Sequence, residues 1–456
     1  MSNPPLPEAP RQTTALRRGL KPIAVFGTMF FLAFGGPYGV ELLVPLAGPG
    51  LAVFSKVAMA ILWGVPSALI TAELVSAMPQ EGGAYQWYRK GLSPFWTFEF
   101  SWLGWLNWFF DSAIYPTLIA AYLVAFFHPE ASHLTSWAVC LAVIWAGTGL
   151  NIWGVEIVGR FSVALAIIVL IPALAMVILG WSEVSLSNLK PFVPDGQASD
   201  AWRYALIFGV WSFSGYAGLA SAGEEIVDTE NTYPKVLAIF VPFAVAALII
   251  PLWVGLAADP NWSQWGPAQY TQVGFVLGGA WLAGAVSTAA QLSLLALFIS
   301  ELLILSRLPY AMARDGLLPK RFTRLHPRFG TPVGLLIVQA LVLSALTYFW
   351  KFLDILVFAT WLALPSYLLS WVLPFIIRWK HPGLRGPFRV PGGWLGLVLV
   401  TIAPVLISIY LIVTIEYQKL FLGLGCMAVG PLLYFSVQWQ KNRSGAVESW
   451  RQSDAS

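Results

Sequence analysis

The run "VALAIIVLIPALAMVIL", Val163 to Leu179, contains no charged and no hydrogen-bonding side chain. Runs of this kind recur along the whole chain. An apolar helix of about 18–25 residues crosses a hydrocarbon core of roughly 30 Å. Of the 456 residues 58% are hydrophobic and 11% charged, against roughly 25% charged in soluble domains, and mean hydropathy is +0.71. A soluble fold of this length cannot hide that much apolar side chain. About 12 spans are expected, beginning near Lys21, Leu51, Pro94, Leu134, Val158, Trp202, Lys235, Thr271, Thr331, Phe352, Trp394 and Leu420. A transmembrane barrel needs strands of alternating polarity. These runs do not alternate, so an all-α polytopic membrane protein is expected.

Residues 1–20 read as a polar, Pro-rich tail, 21–437 as the transmembrane domain and 438–456 as a second tail. No cleavable leader is expected, because no small-residue site follows an apolar core. Lys and Arg in short loops set topology. Arg17, Lys21, Arg89, Lys90, Arg307, Arg314, Lys320, Arg378 and Lys441 fall on one side of such an arrangement. Lys56, Lys190, Arg203, Lys351 and Lys419 fall on the other. Both termini are therefore expected in the cytoplasm, with the domain in the plasma (inner) membrane. The sequence pI near 9.0 reflects this bias, and no aromatic-basic nucleic-acid motif accompanies it. Cys140 and Cys426 lie in apolar spans and suggest neither a disulfide framework nor a metal cluster. His128 and His133 read as loop histidines. No cofactor or metal is expected.

Two spans are interrupted. The first carries "GGPYGVE", Gly35–Gly36–Pro37–Tyr38–Gly39–Val40–Glu41. Gly and Pro are poor helix formers. In a membrane they are tolerated where backbone is buried in protein or lines a cavity. The sixth span carries "WSFSGYAG", with its break expected at Ser214, Gly215 and Tyr216. The two spans are five apart, an odd number, so two five-span units would have opposite orientations. Paired broken helices in inverted repeats point to a secondary transporter site. The freed N–H and C=O groups can hold a charged or zwitterionic solute. The bland alternative is a GxxxG packing contact through Gly35 and Gly39. It leaves Pro37, Glu41 and the second break unexplained.

"FGGPYGVE" (Phe34–Glu41), "PSALITAEL" (Pro66–Leu74), "EGGAYQWYRKGLSPFW" (Glu81–Trp96) and "GWLNWFFDSAIYPTL" (Gly104–Leu118) carry a resemblance. So do "GEEIVDTENTYPKVL" (Gly223–Leu237) and "RLPYAMARDGLLPKRF" (Arg307–Phe322). The chain resembles the amino acid–polyamine–organocation (APC) transporters. Within them it looks most like the polyamine and cationic-substrate permeases of plants, protozoa and bacterial relatives. The resemblance implies a LeuT-like 5+5 inverted repeat with discontinuous helices 1 and 6, plus two C-terminal helices. It implies a substrate held between the two breaks, flanked by spans 3, 8 and 10. It also makes Trp211 similar to the gating tryptophan of arginine/agmatine exchangers.

Three carboxylates sit deep in spans, each costing roughly 2.5–3.5 kcal/mol if it met lipid at the bilayer centre. They are Glu41, Asp111 and Glu301. No Lys or Arg is expected at their depth, so the cavity should favour a cation. Asp111 shares a helical face with Trp108 and Tyr115, which suits an alkyl-ammonium through cation–π contact. Glu301 shares its face with Leu297 and Ile304, and burial of a carboxyl favours its neutral form. It is the proton-coupling candidate. Glu73, Glu99, Glu156, Glu224, Glu225, Asp228 and Glu230 read as solvated ends or partners of Arg89, Lys90 and Arg160. Span 8 offers Ser293 and Ser300 but no adjacent hydroxyl pair for sodium. Span 5 has no mid-span Lys. The expected substrate-binding set is Gly35, Gly36, Pro37, Tyr38, Gly39, Glu41, Asp111, Tyr115, Trp211, Ser214, Gly215 and Tyr216.

The expected activity is secondary transport of polyamines or cationic amines, coupled to H+. The alternative is an amino acid permease or exchanger using the same breaks. A membrane-embedded enzyme needs a nucleophile with a base or a metal cluster, and no histidine lies mid-span. A channel needs a continuous pore with a filter, and none is visible.

Overall fold

The computed structural model describes residues 20–79, 83–127, 132–153, 157–220 and 226–443. Residues 1–19, the chain beyond Arg443, and Glu81, His128, Glu156, Glu224 and Glu225 lie outside the described residues.

The described chain is helical throughout. In order it forms α1 (Pro22–Ala33), α2 (Pro49–Ala77), α3 (Ala84–Gly91), α4 (Pro94–Phe127), α5 (His133–Ile152), α6 (Ile157–Gly180) and α7 (Ala198–Ser212). There follow α8 (Thr229–Ala258), α9 (Gln269–Arg314), α10 (Val333–Phe349), α11 (Phe352–Lys380), α12 (Gly393–Val413) and α13 (Tyr417–Arg443). Among the described residues, 8 helices are long and apolar enough to cross a bilayer by length and composition. The other expected spans fall on α1, α4, α7 and α10. Of these, α1 and α10 are shorter apolar helices, and α4 carries Glu99, Asn107 and Asp111 along its length. The chain is a polytopic membrane protein.

Local chemistry sets the helix ends and bends. Pro22 and Pro49 open α1 and α2 in the first turn, where a missing N–H is not needed. Ser132 caps α5, its Oγ accepting from the Thr135 N–H at 3.2 Å. Pro66 cannot donate to the carbonyl one turn back. The preceding turn of α2, Ala60–Gly64, widens to π geometry. α9 bends at Gly279, whose φ of 72° is left-handed.

α4 packs against both α9 and α11. Phe110 of α4 meets Phe358 of α11 edge-on at 4.6 Å between ring centroids. The outer helices turn apolar side chains outward: Ile167, Ile171, Leu174 and Ile178 on α6, Leu395, Leu399, Ile402 and Leu406 on α12. In lipid such a surface carries no hydrophobic penalty.

One interaction departs from the reading of Glu73 as a solvated end. Glu73 is buried in α2 and accepts two bonds from Arg378 of α11, Nε at 2.7 Å and Nη2 at 2.6 Å. The Val390 N–H donates to the same carboxylate at 2.8 Å. Arg378 also donates to the Gly393 carbonyl at 2.7 Å. The bidentate pair ties α2, α11 and the segment leading into α12 into one unit.

Candidate functional site

The site is built from two interruptions. After α1 the chain leaves helical geometry at Phe34 and resumes in a tight turn at Val40–Leu43. Gly35, Gly36 and Gly39 have φ of 67°, 99° and 89°, a region that penalises side chains. Space also demands glycine at Gly35, where a Cβ would lie 2.1 Å from Leu297. α7 ends at Ser212, and the chain turns through Gly215 with φ 90°. A Cβ on Gly215 would lie 2.8 Å from the Leu32 carbonyl. The end of α1 and the second break thus meet backbone to backbone.

The freed backbone groups find partners. The Ser293 hydroxyl of α9 donates to the Gly35 carbonyl. The Tyr233 hydroxyl of α8 donates to the Tyr216 carbonyl. Trp63, in the wide turn of α2, donates its indole N–H to Ser214 Oγ at 3.2 Å. Gly39 packs against the Trp211 ring, where a Cβ would approach to 3.3 Å.

Beside the breaks lies a small cavity of about 70 Å³. Its walls include Gly36, Tyr38, Trp108, Asp111, Tyr115 and Trp211, and also Ser214, Gly215, Glu301 and Tyr367. A larger cavity of about 1130 Å³ shares Trp108, Ser214, Gly215 and Tyr367 with it and takes in Tyr216. It extends to Tyr85, Arg89, Arg307, Arg314 and Asp315 at the basic end of the molecule. There Tyr85 donates to Asp315 Oδ2 at 2.6 Å, and Arg89 pairs with the same oxygen at 3.4 Å. Burial first, and then the bond to Asp315, push the Tyr85 phenol's ionisation upward.

The chemistry concentrates on α4 and α9. The Tyr115 hydroxyl lies 2.7 Å from Glu301 Oε1 and 3.2 Å from Asp111 Oδ2. Ser112 donates to the other Glu301 oxygen at 3.0 Å. The carboxyls of Asp111 and Glu301 thus meet at one hydroxyl, and Trp211 lines the same cavity. A hydroxyl has one hydrogen to give. Tyr115 therefore donates to one carboxyl and can accept from the other, and the group has a place for one extra proton.

Of the residues singled out from sequence, Gly36, Tyr38, Asp111, Tyr115, Trp211, Ser214, Gly215 and Glu301 meet at the small cavity. Tyr216 lines the large one. Gly35, Pro37, Gly39 and Glu41 are in the wall of neither cavity. Glu41 is fully buried, and Tyr122 of α4 donates to its Oε1. Glu301, expected among Leu297 and Ile304, has three polar neighbours instead.

Sequence reasoning missed Ser112, Tyr122, Tyr367 and Lys56. Tyr122 was findable, because it repeats the helical face of Asp111 and Tyr115. Lys56 was read as an outer-side charge. It is fully buried in α2, its ammonium 2.9 Å from Ser212 Oγ and 3.5 Å from the Phe208 carbonyl. It sits on the last turn of α7, where exposed carbonyls favour a cation.

The amino acid permease family matches residues 26–426. The polyamine transporter PUT1 of Oryza sativa subsp. japonica is 30% identical over 91% of this chain and 78% of its own length. The polyamine transporter RMV1 of Arabidopsis thaliana is 30% identical over 91% of this chain and 85% of its own length. Interrupted helices, an acid pair joined by Tyr115 at a cavity wall and a match along nearly the whole chain agree: this chain belongs to the amino acid permease family, a family of transporters and not of enzymes.

Proposed function

We propose that the protein moves polyamines or cationic amines across the plasma (inner) membrane by alternating access, coupled to protons. The observation that carries this reading is the Tyr115 hydroxyl shared by Asp111 and Glu301 at the wall of the small cavity. No basic side chain lines that small cavity among the described residues. Two carboxyls there are matched by one proton and one ammonium. In this account Asp111 takes the ammonium, Glu301 keeps the proton, and Tyr115 passes its hydrogen bond between them. Trp108, Trp211 and Tyr115 offer aromatic faces to the alkyl chain.

The larger frame of the proposal is 12 spans, two five-span inverted repeats and both termini in the cytoplasm. The basic end is then the cytoplasmic mouth. The 1130 Å³ cavity is the inward-facing vestibule, and Tyr85, Arg89 and Asp315 are a gate at its rim. The names of the relatives support the substrate class. A second reading, an amino acid permease, draws on the family's description and on the free backbone of the breaks, which could hold an α-carboxylate.

Uptake of labelled putrescine, spermidine, arginine and neutral amino acids into proteoliposomes, with and without an imposed pH gradient, separates the two. Saturable polyamine uptake driven by the gradient is expected. Neutral amino acid transport that polyamines do not inhibit would replace the first reading by the second.

A further inference from the structure

Glu41 belongs to neither cavity, yet its surroundings are those of a site. Tyr122 Oη donates to its Oε1. Its other oxygen, Oε2, makes no hydrogen bond among the described residues. The Tyr270 hydroxyl, at the start of α9, is 1% exposed and also unpartnered.

Tyr38 packs edge-on against both Tyr122 and Tyr270, with ring centroids 6.4 Å apart in each case. A run of three tyrosine rings, Tyr122, Tyr38 and Tyr270, therefore adjoins the carboxylate through Tyr122. Among the described residues no Lys or Arg bonds to it. A carboxylate within aromatic faces is the chemistry that recognises an alkyl-ammonium.

Tyr38 also forms part of the wall of the small cavity. It separates the Asp111–Tyr115–Glu301 group from Glu41, and it is held there by donating to the Val169 carbonyl at 3.0 Å. Asp111 and Tyr122 lie eleven positions apart on α4, close to a whole number of turns, so they share a face. At 1.5 Å per residue they are about 16 Å apart along the axis. The tyrosine leans back toward Asp111, which shortens the gap between the acid groups to roughly 10 Å. That span suits the terminal amines of a triamine better than those of a four-carbon diamine.

We propose that Glu41, Tyr38, Tyr122 and Tyr270 form a second ammonium subsite, reached when Tyr38 swings aside, that selects long polyamines. The inference rests on the amine-transport reading above. The site is closed in this conformation, with Tyr122 on the carboxylate where an ammonium would bind.

The test is competition against labelled spermidine on the purified full-length protein, using spermidine, putrescine and n-butylamine. Wild type is expected to prefer spermidine over putrescine. In Glu41→Gln that preference shrinks about tenfold, the loss of one charge-assisted bond. Glu41→Asp keeps a carboxylate there, so part of the spermidine preference returns. An unchanged spermidine-to-putrescine ratio in Glu41→Gln, with wild type binding both, overturns the subsite alone. Equal loss of preference in Glu41→Gln and Glu41→Asp assigns Glu41 a structural role and also overturns it. Absence of any amine binding in wild type overturns the amine reading, and the subsite with it.

Discussion

Tyr115 and Glu301 come from helices α4 and α9, 186 residues apart in sequence, and meet through a 2.7 Å hydrogen bond inside the membrane domain. The bond joins the two helices at the level of the breaks and fixes Glu301 beside Asp111. In Tyr115→Phe the hydroxyl is gone, and the two acid groups lose the hydrogen bond that mediates between them. Amine affinity is expected to fall about tenfold or more, for a lost bond to a charged group of about 1.5–3 kcal/mol. Binding to purified protein checks this, and an unchanged affinity would remove Tyr115 from the site.

The Glu73–Arg378 pair is buried and bidentate. Removing one partner strands the other, which costs about 3–5 kcal/mol. Glu73→Gln and Arg378→Met should each lower the unfolding temperature in detergent sharply. The double variant Glu73→Leu/Arg378→Met should recover much of that loss. A double variant no better than either single one would show that the pair's geometry, and not its charge, holds α2 to α11.

Gly35→Ala meets two obstacles at once. The backbone is left-handed at φ 67°, and the new methyl would lie 2.1 Å from Leu297. A destabilisation of about 1–3 kcal/mol is expected. In a Leu297→Ala background the clash is relieved but not the backbone strain, so adding Gly35→Ala there should cost less than it does in the wild type but more than nothing. Thermal unfolding of the set measures both parts.

Lys56 faces the last turn of α7 without a carboxylate partner among its hydrogen bonds. Lys56→Met removes a buried charge and keeps the chain length, so the change in stability should stay within about 2 kcal/mol, the upper range for a cation at a helix C-terminus. Lys56→Glu sets a carboxylate against those carbonyls and should fail to accumulate as folded protein. Size-exclusion profiles of the two variants make the comparison.

Much of the frame was legible in the sequence because its signals are local. The apolar runs mark helices, and Gly35–Gly39 and Ser214–Tyr216 mark interruptions, through residues whose backbone preferences are intrinsic. Asp111 and Tyr115 could be joined by helical periodicity alone. Partners across helices could not. Nothing near Glu301 in sequence points to Ser112, and nothing near Glu73 points to Arg378, 305 positions away. Lys56 misled because lysines usually flank membrane spans. Here the start of α2 at Pro49 carries it inward, and the end of α7 accepts its charge. Glu41 follows the break directly, and after the left-handed turn at Gly39 it meets Tyr122 outside the walls of both cavities, a partner that nothing near it in sequence names.

The central claim is that Asp111 takes the amine while Glu301 beside it keeps the proton. Equilibrium binding of spermidine to the purified protein, wild type against Asp111→Asn, tests it most directly. Truncating one charge of a buried bonded pair typically costs about 2–5 kcal/mol, so Asp111→Asn should weaken binding at least about thirtyfold while the protein remains folded and monodisperse. Wild-type affinity in Asp111→Asn would contradict the account.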